Sequence, residues 1–257
     1  MIQNENNLPK EYDFIIFQDG SFCRTRDSKG NEWDASQDIG VCLNAILPVL
    51  INGGVIVIKS GQYHQSTSVT IPYDLIFIRA DNAQITFTTN ISGAYQINGE
   101  YFTFYGPVFN LNGTSTTVFQ LNSASCYIEK IRGWNNGNIS TGSKFMTINQ
   151  TSAGMAIYNS AVRNINIQDF DQVFNRIKSS NLHVSHCVFN DFNQVFAGTN
   201  TGSPSVVFVD QCVIASGTNV TNTSDGTKYF IQQSRIAAVT VQASGTDTLT
   251  LTNCITN

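Results

Sequence analysis

The hexapeptide Val207–Cys212 (VFVDQC) decides the fold, because four variants of it occur elsewhere in the chain. They are Ile165–Phe170 (INIQDF), Leu182–Cys187 (LHVSHC), Tyr229–Ser234 (YFIQQS) and Leu249–Cys254 (LTLTNC). All five copies have apolar residues at the first and third positions, polar residues at the fourth and fifth, and a small or apolar residue at the sixth. Neighbouring copies start roughly 17 to 25 residues apart, a spacing typical of stacked-repeat proteins.

Side-chain alternation explains why these copies should stack. The first and third residues of a copy point to one side of its strand, and so short a strand cannot bury that side alone. Parallel stacking gives the backbone partners and builds a continuous core. The sixth residues should then form one inward column, and the polar fifth residues should occupy tight bends at positive φ. The column contains Phe170, Cys187, Cys212, Ser234 and Cys254, and the bends contain Asp169, His186, Gln211, Gln233 and Asn253.

The cysteines fit this core. None of the six lies in a Cys-x-x-Cys pair, so zinc and redox motifs of that spacing are absent from the sequence. Because Cys187, Cys212 and Cys254 share the predicted column, we expect them to be free thiols packed inside. The acidic residues show no metal-ligand spacing, and we expect neither a metal nor a cofactor.

The N-terminal part differs from the repeats. Residues 1–33 are predicted to form a small β element, and residues 34–257 are predicted to form the solenoid. One helix at about residues 37–51 should open the solenoid, because apolar residues such as Ile39 and Leu43 recur three or four positions apart.

The ends of this helix have their own signals. Asp34 or Ser36 can cap its first turn. Pro48 should kink or end the last turn, and Gly53 and Gly54 provide a stop.

Three segments in this region carry a resemblance to a known superfamily. They resemble the first turn of the β-helix in the pectate-lyase-like superfamily. The segments are Asp34–Ile46 (DASQDIGVCLNAI), Gly53–Tyr63 (GGVIVIKSGQY) and Val69–Pro72 (VTIP). The resemblance covers residues 34–78, and the repeats extend it to the C-terminus. It implies an all-β, right-handed parallel β-helix with one N-terminal capping helix. It implies little about function, because the superfamily includes lyases, hydrolases, phage tailspikes and proteins without known catalysis.

Composition narrows the possible partners. The chain has 257 residues, a formal net charge of −4 and only 12% charged residues, with no run of Lys or Arg. A nucleic-acid partner is therefore not expected. No apolar run reaches the roughly 18–20 residues that span a bilayer, and the polar N-terminus does not resemble a Sec signal peptide.

Asp169, His186 and Asp210 are the candidate catalytic residues. If the repeats are in register, Asp169 and His186 lie on adjacent strands, about 4.8 Å apart, and Asp210 follows one strand later. A carboxylate beside a His can perform acid–base chemistry. The alternative is structural, since tight bends favour the same residue types.

Aromatic residues are the candidate binding groups. In Tyr101–Tyr105 (YFTFY), alternation should bury Phe102 and Phe104 and expose both tyrosines. Tyr101, Tyr105 and Trp134 could therefore stack on carbohydrate or form an interface.

Two hypotheses about function follow. The first is a non-catalytic structural or adhesion protein, such as a virion spike, fibre or surface component that binds glycans. It would reside at a virion or cell surface and associate with other protein chains, because the chain stops on a strand without an obvious cap. The alternative is a polysaccharide lyase or glycosidase of the pectate-lyase-like superfamily.

Overall fold

Among the described residues, the regular secondary structure is almost entirely β-strand. The computed structural model describes residues 12–80, 82–148, 157–176, 180–197, 206–222, 228–237 and 248–256. The strands are β1 (Phe14–Asp19), β2 (Phe22–Asp27), β3 (Glu32–Ser36), β4 (Gly54–Ile58), β5 (Gly61–Gln65), β6 (Val69–Ile71), β7 (Ile76–Arg79), β8 (Ala83–Phe87), β9 (Tyr95–Ile97), β10 (Thr103–Tyr105), β11 (Val108–Asn110), β12 (Thr117–Leu121), β13 (Tyr127–Glu129), β14 (Arg132–Trp134), β15 (Ser140–Ile148), β16 (Ile157–Arg163), β17 (Asn166–Arg176), β18 (Ser180–Ser185), β19 (Val188–Ala197), β20 (Val206–Asp210), β21 (Val213–Asn222), β22 (Lys228–Gln232), β23 (Arg235–Ala237), β24 (Thr248–Thr252) and β25 (Ile255–Thr256).

The strands stack as a right-handed parallel β-helix, which confirms the predicted fold class. Within the described parts of the chain, sheet A has 12 strands, in the order β24-β22-β20-β18-β16-β13-β10-β7-β4-β1-β2-β3. Over the same residues, sheet B has 13 strands and includes the path β25-β23-β21-β19-β17-β14-β11-β8-β5. Strands β6, β9, β12 and β15 pair side by side on a third face, which continues along the later part of β17.

The helix α1 spans Ile39–Ile46 and is followed by a 3₁₀ turn, Leu47–Val49. The predicted cap is wrong, because Asp38 caps α1 and accepts a hydrogen bond from the Gly40 amide at 2.7 Å. Ser36 instead accepts a hydrogen bond from the Asp38 amide. Pro48 lies in the 3₁₀ turn, where its missing N–H ends the α-helical bonding as predicted.

The N-terminal strands are continuous with sheet A. Strand β1 pairs antiparallel with β2 and parallel with β4, and β2 pairs antiparallel with β3. Residues Ile39, Leu43 and Ile46 of α1 are completely buried in the same core as the solenoid strands. The helix therefore closes the N-terminal end of the core.

The repeat register is confirmed for four of the five copies. Their first residues pair in turn on successive strands of sheet A: Leu182 with Val207, Val207 with Tyr229, and Tyr229 with Leu249. The fifth copy is misplaced, because Leu182 pairs with Ser160 and not with Ile165. The Ile165–Phe170 segment has the same alternation but lies mainly in β17 of sheet B, and a period of two does not tell one sheet from another.

The bends show the same shift. All five predicted bend residues have positive φ, between 49° and 64°. His186 occupies the same position in the ladder as Asn164, whose φ is 54°. Asp169, at φ 64°, instead aligns with Asp191, at φ 49°, between two pairs of β17 and β19. Asp169 thus belongs to a second column of bends.

The inward column is therefore corrected at one position. Cys187, Cys212 and Ser234 are buried, and Cys254 is partly buried against the core. The three cysteines are free thiols, as predicted. Phe170 is also buried but pairs with Phe192 in the second column.

Within the described residues, no helix is long and apolar enough to cross a membrane.

Candidate binding groove

The structure does not bring the three candidate catalytic residues together. Asp169 and His186 lie five positions apart along aligned segments, because His186 matches Asn164 while Asp169 matches Asp191. Extended chain covers about 3.3 Å per residue, so the predicted contact of about 4.8 Å is wrong.

The Asp169 carboxylate is buried and hydrogen-bonded within the fold. Only 4% of its surface is exposed, and its Oδ2 accepts hydrogen bonds from the Gly137 amide at 2.9 Å and from Gln168 Nε2 at 3.3 Å. The carboxylate therefore ties its own bend to the turn on the preceding strand.

Asp210 and His186 lie on neighbouring strands. The His186 amide donates a hydrogen bond to the Asp210 carbonyl at 3.0 Å, and the His186 side chain is exposed. Asp210 lies on the outer face of β20, next to Ser185 of β18. Its Oδ1 is buried and has no hydrogen-bond partner among the described residues, so Asp210 has unused acceptor capacity that the Asp169 carboxylate lacks.

The candidate aromatic residues are also dispersed. Phe102 and Phe104 are completely buried as predicted, and Tyr101 is 55% exposed at a bend before β10. Tyr105 lies on the outer face of β10, where Lys130 Nζ donates to its hydroxyl at 2.6 Å and lies 4.9 Å from its ring centre. The Tyr105 ring is therefore already engaged by a cation.

Trp134 belongs to a different sheet. It lies on β14 of sheet B and lines a small cavity of about 150 Å³ with Arg132, Asn166 and Gln168. Tyr101, Tyr105 and Trp134 consequently do not form one site.

A broad concavity lies on the outer face of sheet A. We call it the outer groove and define it by Tyr127, Ala161, Arg163, His183 and Phe208. Its volume is about 610 Å³. Ser160, Leu182 and Val206 complete its lining.

Strand register explains how the groove forms. Tyr127, Ala161, His183, Phe208 and Phe230 face one another in a single outward column across β13, β16, β18, β20 and β22. Strand spacing is about 4.8 Å, so Tyr127 and His183 stand roughly 10 Å apart on either side of Ala161. The Ala161 methyl fills little of that gap, and the missing side-chain volume makes the depression.

The floor of the column is aromatic and open to solvent. Tyr127, Phe208 and Phe230 are 41%, 47% and 37% exposed. The rings of Phe208 and Phe230 stack at 5.3 Å, and His183 meets Phe208 edge-on at 6.3 Å. Such a row is unusual on a solvated sheet face, because exposed aromatic surface is costly unless it binds a partner.

Charged groups flank the aromatic row on one side. The next outward column contains Glu129 on β13, Arg163 on β16, Ser185 on β18 and Asp210 on β20. The Arg163 side chain is exposed beside the groove. The groove can therefore offer hydrogen bonds and one cation to a ligand that stacks on the rings.

We did not predict these groove residues from the sequence. The second position of the repeat, which the pattern leaves unconstrained, holds two of them, His183 and Phe208, and also Phe230, the next residue of the same outward column. Because the first and third positions point inward, the second must point outward. Phe at that position in two consecutive repeats was the available signal.

Comparisons with known proteins support the fold. No protein-family model and no curated protein matches the sequence. A pectin methylesterase from Aspergillus niger has a similar structure, with a TM-score of 0.56 and 14% identity, covering 82% of this chain and 80% of that one. The fold is the pectate-lyase-like right-handed parallel β-helix. At this identity the likeness shows the fold alone.

Two looser likenesses span more of the chain. An endo-xylogalacturonan hydrolase from Aspergillus tubingensis has a TM-score of 0.45 and 11% identity, covering 94% of this chain and 92% of that one. ORF18 of Geobacillus virus E2 has a TM-score of 0.42 and 11% identity, covering 97% of this chain and 70% of that one.

Proposed function

We propose that this chain is a non-catalytic surface β-helix that binds a polysaccharide in the outer groove. The observation that carries the proposal is the exposed aromatic column beside Ala161. Aromatic faces bind apolar surface, while neighbouring polar groups fix its orientation. The groove volume of about 610 Å³ lies within the range of roughly 300–1,000 Å³ that ligand sites occupy.

The positions of the carboxylates favour binding over hydrolysis in this groove. Outside the N-terminal strands β1 to β3, the acidic residues on the described strands of sheet A are Glu129 and Asp210. They lie three strand spacings apart, which is about 14 Å. Retaining glycosidases need carboxyl groups about 5–5.5 Å apart, and inverting ones need about 6.5–9.5 Å. Glu129 and Asp210 do not match either geometry.

Truncating Phe208 tests the proposed binding site. We expect Phe208→Ala to weaken glycan binding at least tenfold, because the ring supplies exposed stacking surface between His183 and Phe230; tenfold corresponds to about 1.4 kcal/mol. Binding would be measured by titration calorimetry with neutral glucan and xylan oligosaccharides and with acidic polygalacturonate and alginate oligosaccharides.

Phe22→Ala is the matched control for this experiment. Phe22 is 43% exposed, against 47% for Phe208, but lies on β2 in the N-terminal β element. We expect this variant to bind like the parent chain. Equal binding by Phe208→Ala and the parent would refute the groove as the site.

Polysaccharide cleavage is the second candidate function, favoured by the unpartnered buried Oδ1 of Asp210. A carboxylate with unused acceptor capacity at a groove can act as a base. Under our proposal, the chain should release no reducing ends or unsaturated products from the same oligosaccharides, with or without calcium. Turnover that Asp210→Asn abolishes would overturn the proposal in favour of an enzyme.

The same proposal includes where the protein is located and which molecules it associates with. A virion spike, fibre or cell-surface component would present the groove to a glycan while associating with other protein chains. This placement rests on the weakly charged surface, with 12% charged residues, and on the groove itself. Sedimentation analysis of the purified chain measures the association directly.

A further inference from the structure

Two cysteines meet where the N-terminal strands join the capping helix. Cys23 lies on β2 and Cys42 on α1, and their Sγ atoms are 2.7 Å apart. A disulfide bond is about 2.05 Å long, so the two sulfurs need to approach by only about 0.7 Å. Cys23 is 4% exposed and Cys42 is fully buried.

The surrounding contacts hold both sulfurs in place. Cys23 Sγ donates to the Ser36 carbonyl at 2.9 Å, and Cys42 Sγ lies 3.4 Å from the Cys23 carbonyl oxygen. Ser36 ends β3, the strand that pairs with β2. The side chains therefore face each other across a fixed junction of strand and helix.

A small cavity leads to this junction. It has a volume of about 130 Å³ and is lined by Cys23 together with Gln37, Gln62, Tyr63 and His64. A water molecule occupies about 30 Å³ in the liquid, so a small oxidant such as hydrogen peroxide fits inside. The cavity lies at the N-terminal end of the solenoid and shares no lining residue with the outer groove.

We propose that Cys23 and Cys42 form a redox-sensitive pair that closes to a disulfide and locks the N-terminal β element to the capping helix. The pair is separate from Cys187, Cys212 and Cys254, which lie in the inward column of the solenoid. Closing the bond would tie β2 to α1 across a loop of roughly 20 residues, which restricts the unfolded chain.

The oxidation balances with peroxide as the oxidant. The Cys23 sulfur attacks one peroxide oxygen, the O–O bond breaks, and the departing hydroxide takes the thiol proton as water. The Cys42 sulfur then attacks the Cys23 sulfenic acid. The new S–S bond forms as the S–O bond breaks, and hydroxide leaves with the Cys42 proton as a second water.

Geometry sets the order of the two steps. Cys23 lines the cavity and therefore meets the oxidant first. Cys42 Sγ lies 2.7 Å from Cys23 Sγ, in position to attack the sulfenic acid.

Counting thiols tests the proposal. The folded chain would be treated with one equivalent of hydrogen peroxide, unfolded in guanidinium and labelled with N-ethylmaleimide. We expect four labels, against six for the reduced chain, and a peptide that links Cys23 to Cys42. The oxidised chain should also melt several degrees higher than the reduced chain.

Two variants sharpen this test. Cys42→Ser should abolish the linked peptide, whereas Cys126→Ser should preserve it, because Cys126 is buried elsewhere. If Cys42→Ser does not fold, the peptide map of the parent chain decides. Six labels after oxidation, or a link between Cys187 and Cys212 in place of the proposed one, would overturn the proposal.

Discussion

Replacing Phe104 with Ala is expected to lower the free energy of unfolding by about 3–5 kcal/mol, the usual cost of removing a buried Phe ring. Phe104 is completely buried on the inner face of β10. Its ring centre lies 6.0 Å from that of Phe109 on β11 and 5.6 Å from that of Phe119 on β12. One side chain therefore joins all three faces of a single turn.

The neighbouring rings cannot close the resulting cavity without leaving their own contacts. Tyr95 lies 5.0 Å from Phe104 and also contacts Phe109 and Phe119. Tyr95 is further fixed by a 2.8 Å hydrogen bond from its hydroxyl to Gln65 Oε1. We therefore expect little relaxation, which places the cost toward the upper part of the range.

Chemical denaturation followed by circular dichroism measures this loss. Phe22→Ala is again the control, since Phe22 is 43% exposed, and its effect should be within about 0.5 kcal/mol of zero. Because a solenoid is stabilised by contacts between neighbouring turns, the whole transition should shift. A loss below 1 kcal/mol for Phe104→Ala would show that the aromatic cluster is not a stabilising centre.

The sequence allowed the fold to be predicted because the two kinds of periodicity are local. Ile39 and Leu43 repeat at the helical spacing, and the hexapeptides alternate at the strand spacing. Both patterns can be recognised from residues close together in the sequence, without knowing which distant residues are in contact. The resemblance of residues 34–78 to a known superfamily added the handedness.

The error in the repeat alignment arose because the same local alternation fits a strand of sheet A and a strand of sheet B. Ile165 and Ile167 alternate as the sheet A strands do, so Ile165–Phe170 was aligned with Leu182–Cys187. The better match was one bend earlier, since Asn164 precedes Ile165 as His186 precedes Cys187. That error created the apparent pairing of Asp169 with His186.

The outer groove could not be predicted from local sequence patterns, for a different reason. Tyr127, Ala161 and Phe208 are separated by more than 30 residues in sequence and meet only through the ladder. The depression also depends on a small residue, Ala161, between larger neighbours. Neither the alignment of the strands nor the contrast in volume can be seen within one repeat.

The helix cap was also ambiguous in sequence, and its strength is testable. Asp34, Ser36 and Asp38 are all good N-cap residue types, and the structure selects Asp38. Its Oδ1 accepts from the Gly40 amide at 2.7 Å, and its Oδ2 accepts from the Ser66 amide at 3.1 Å and the Thr67 hydroxyl at 2.7 Å.

Replacing Asp38 with Ala should therefore cost about 2–3 kcal/mol, more than the roughly 1 kcal/mol of an ordinary cap. The substitution removes the cap and also leaves donors of Ser66 and Thr67 without their acceptor. The junction is too tight to adjust, because a Cβ on Gly40 would collide with the Thr67 carbonyl oxygen. Helix α1 should then separate from this loop, which would expose the N-terminal end of the core.

Asp34→Ala provides the matched control, because Asp34 is the same residue type only four positions away and does not cap α1. It should change stability by no more than about 0.5 kcal/mol. Asp38→Asn should fall between the two, since an amide keeps one acceptor oxygen but presents NH₂ where the second oxygen accepted. Thermal melts of the three variants give this order directly. An equal loss for Asp34→Ala and Asp38→Ala would mean that the carboxylate at position 38 does not anchor the helix, and that burial of Ile39 and Leu43 alone holds it in place.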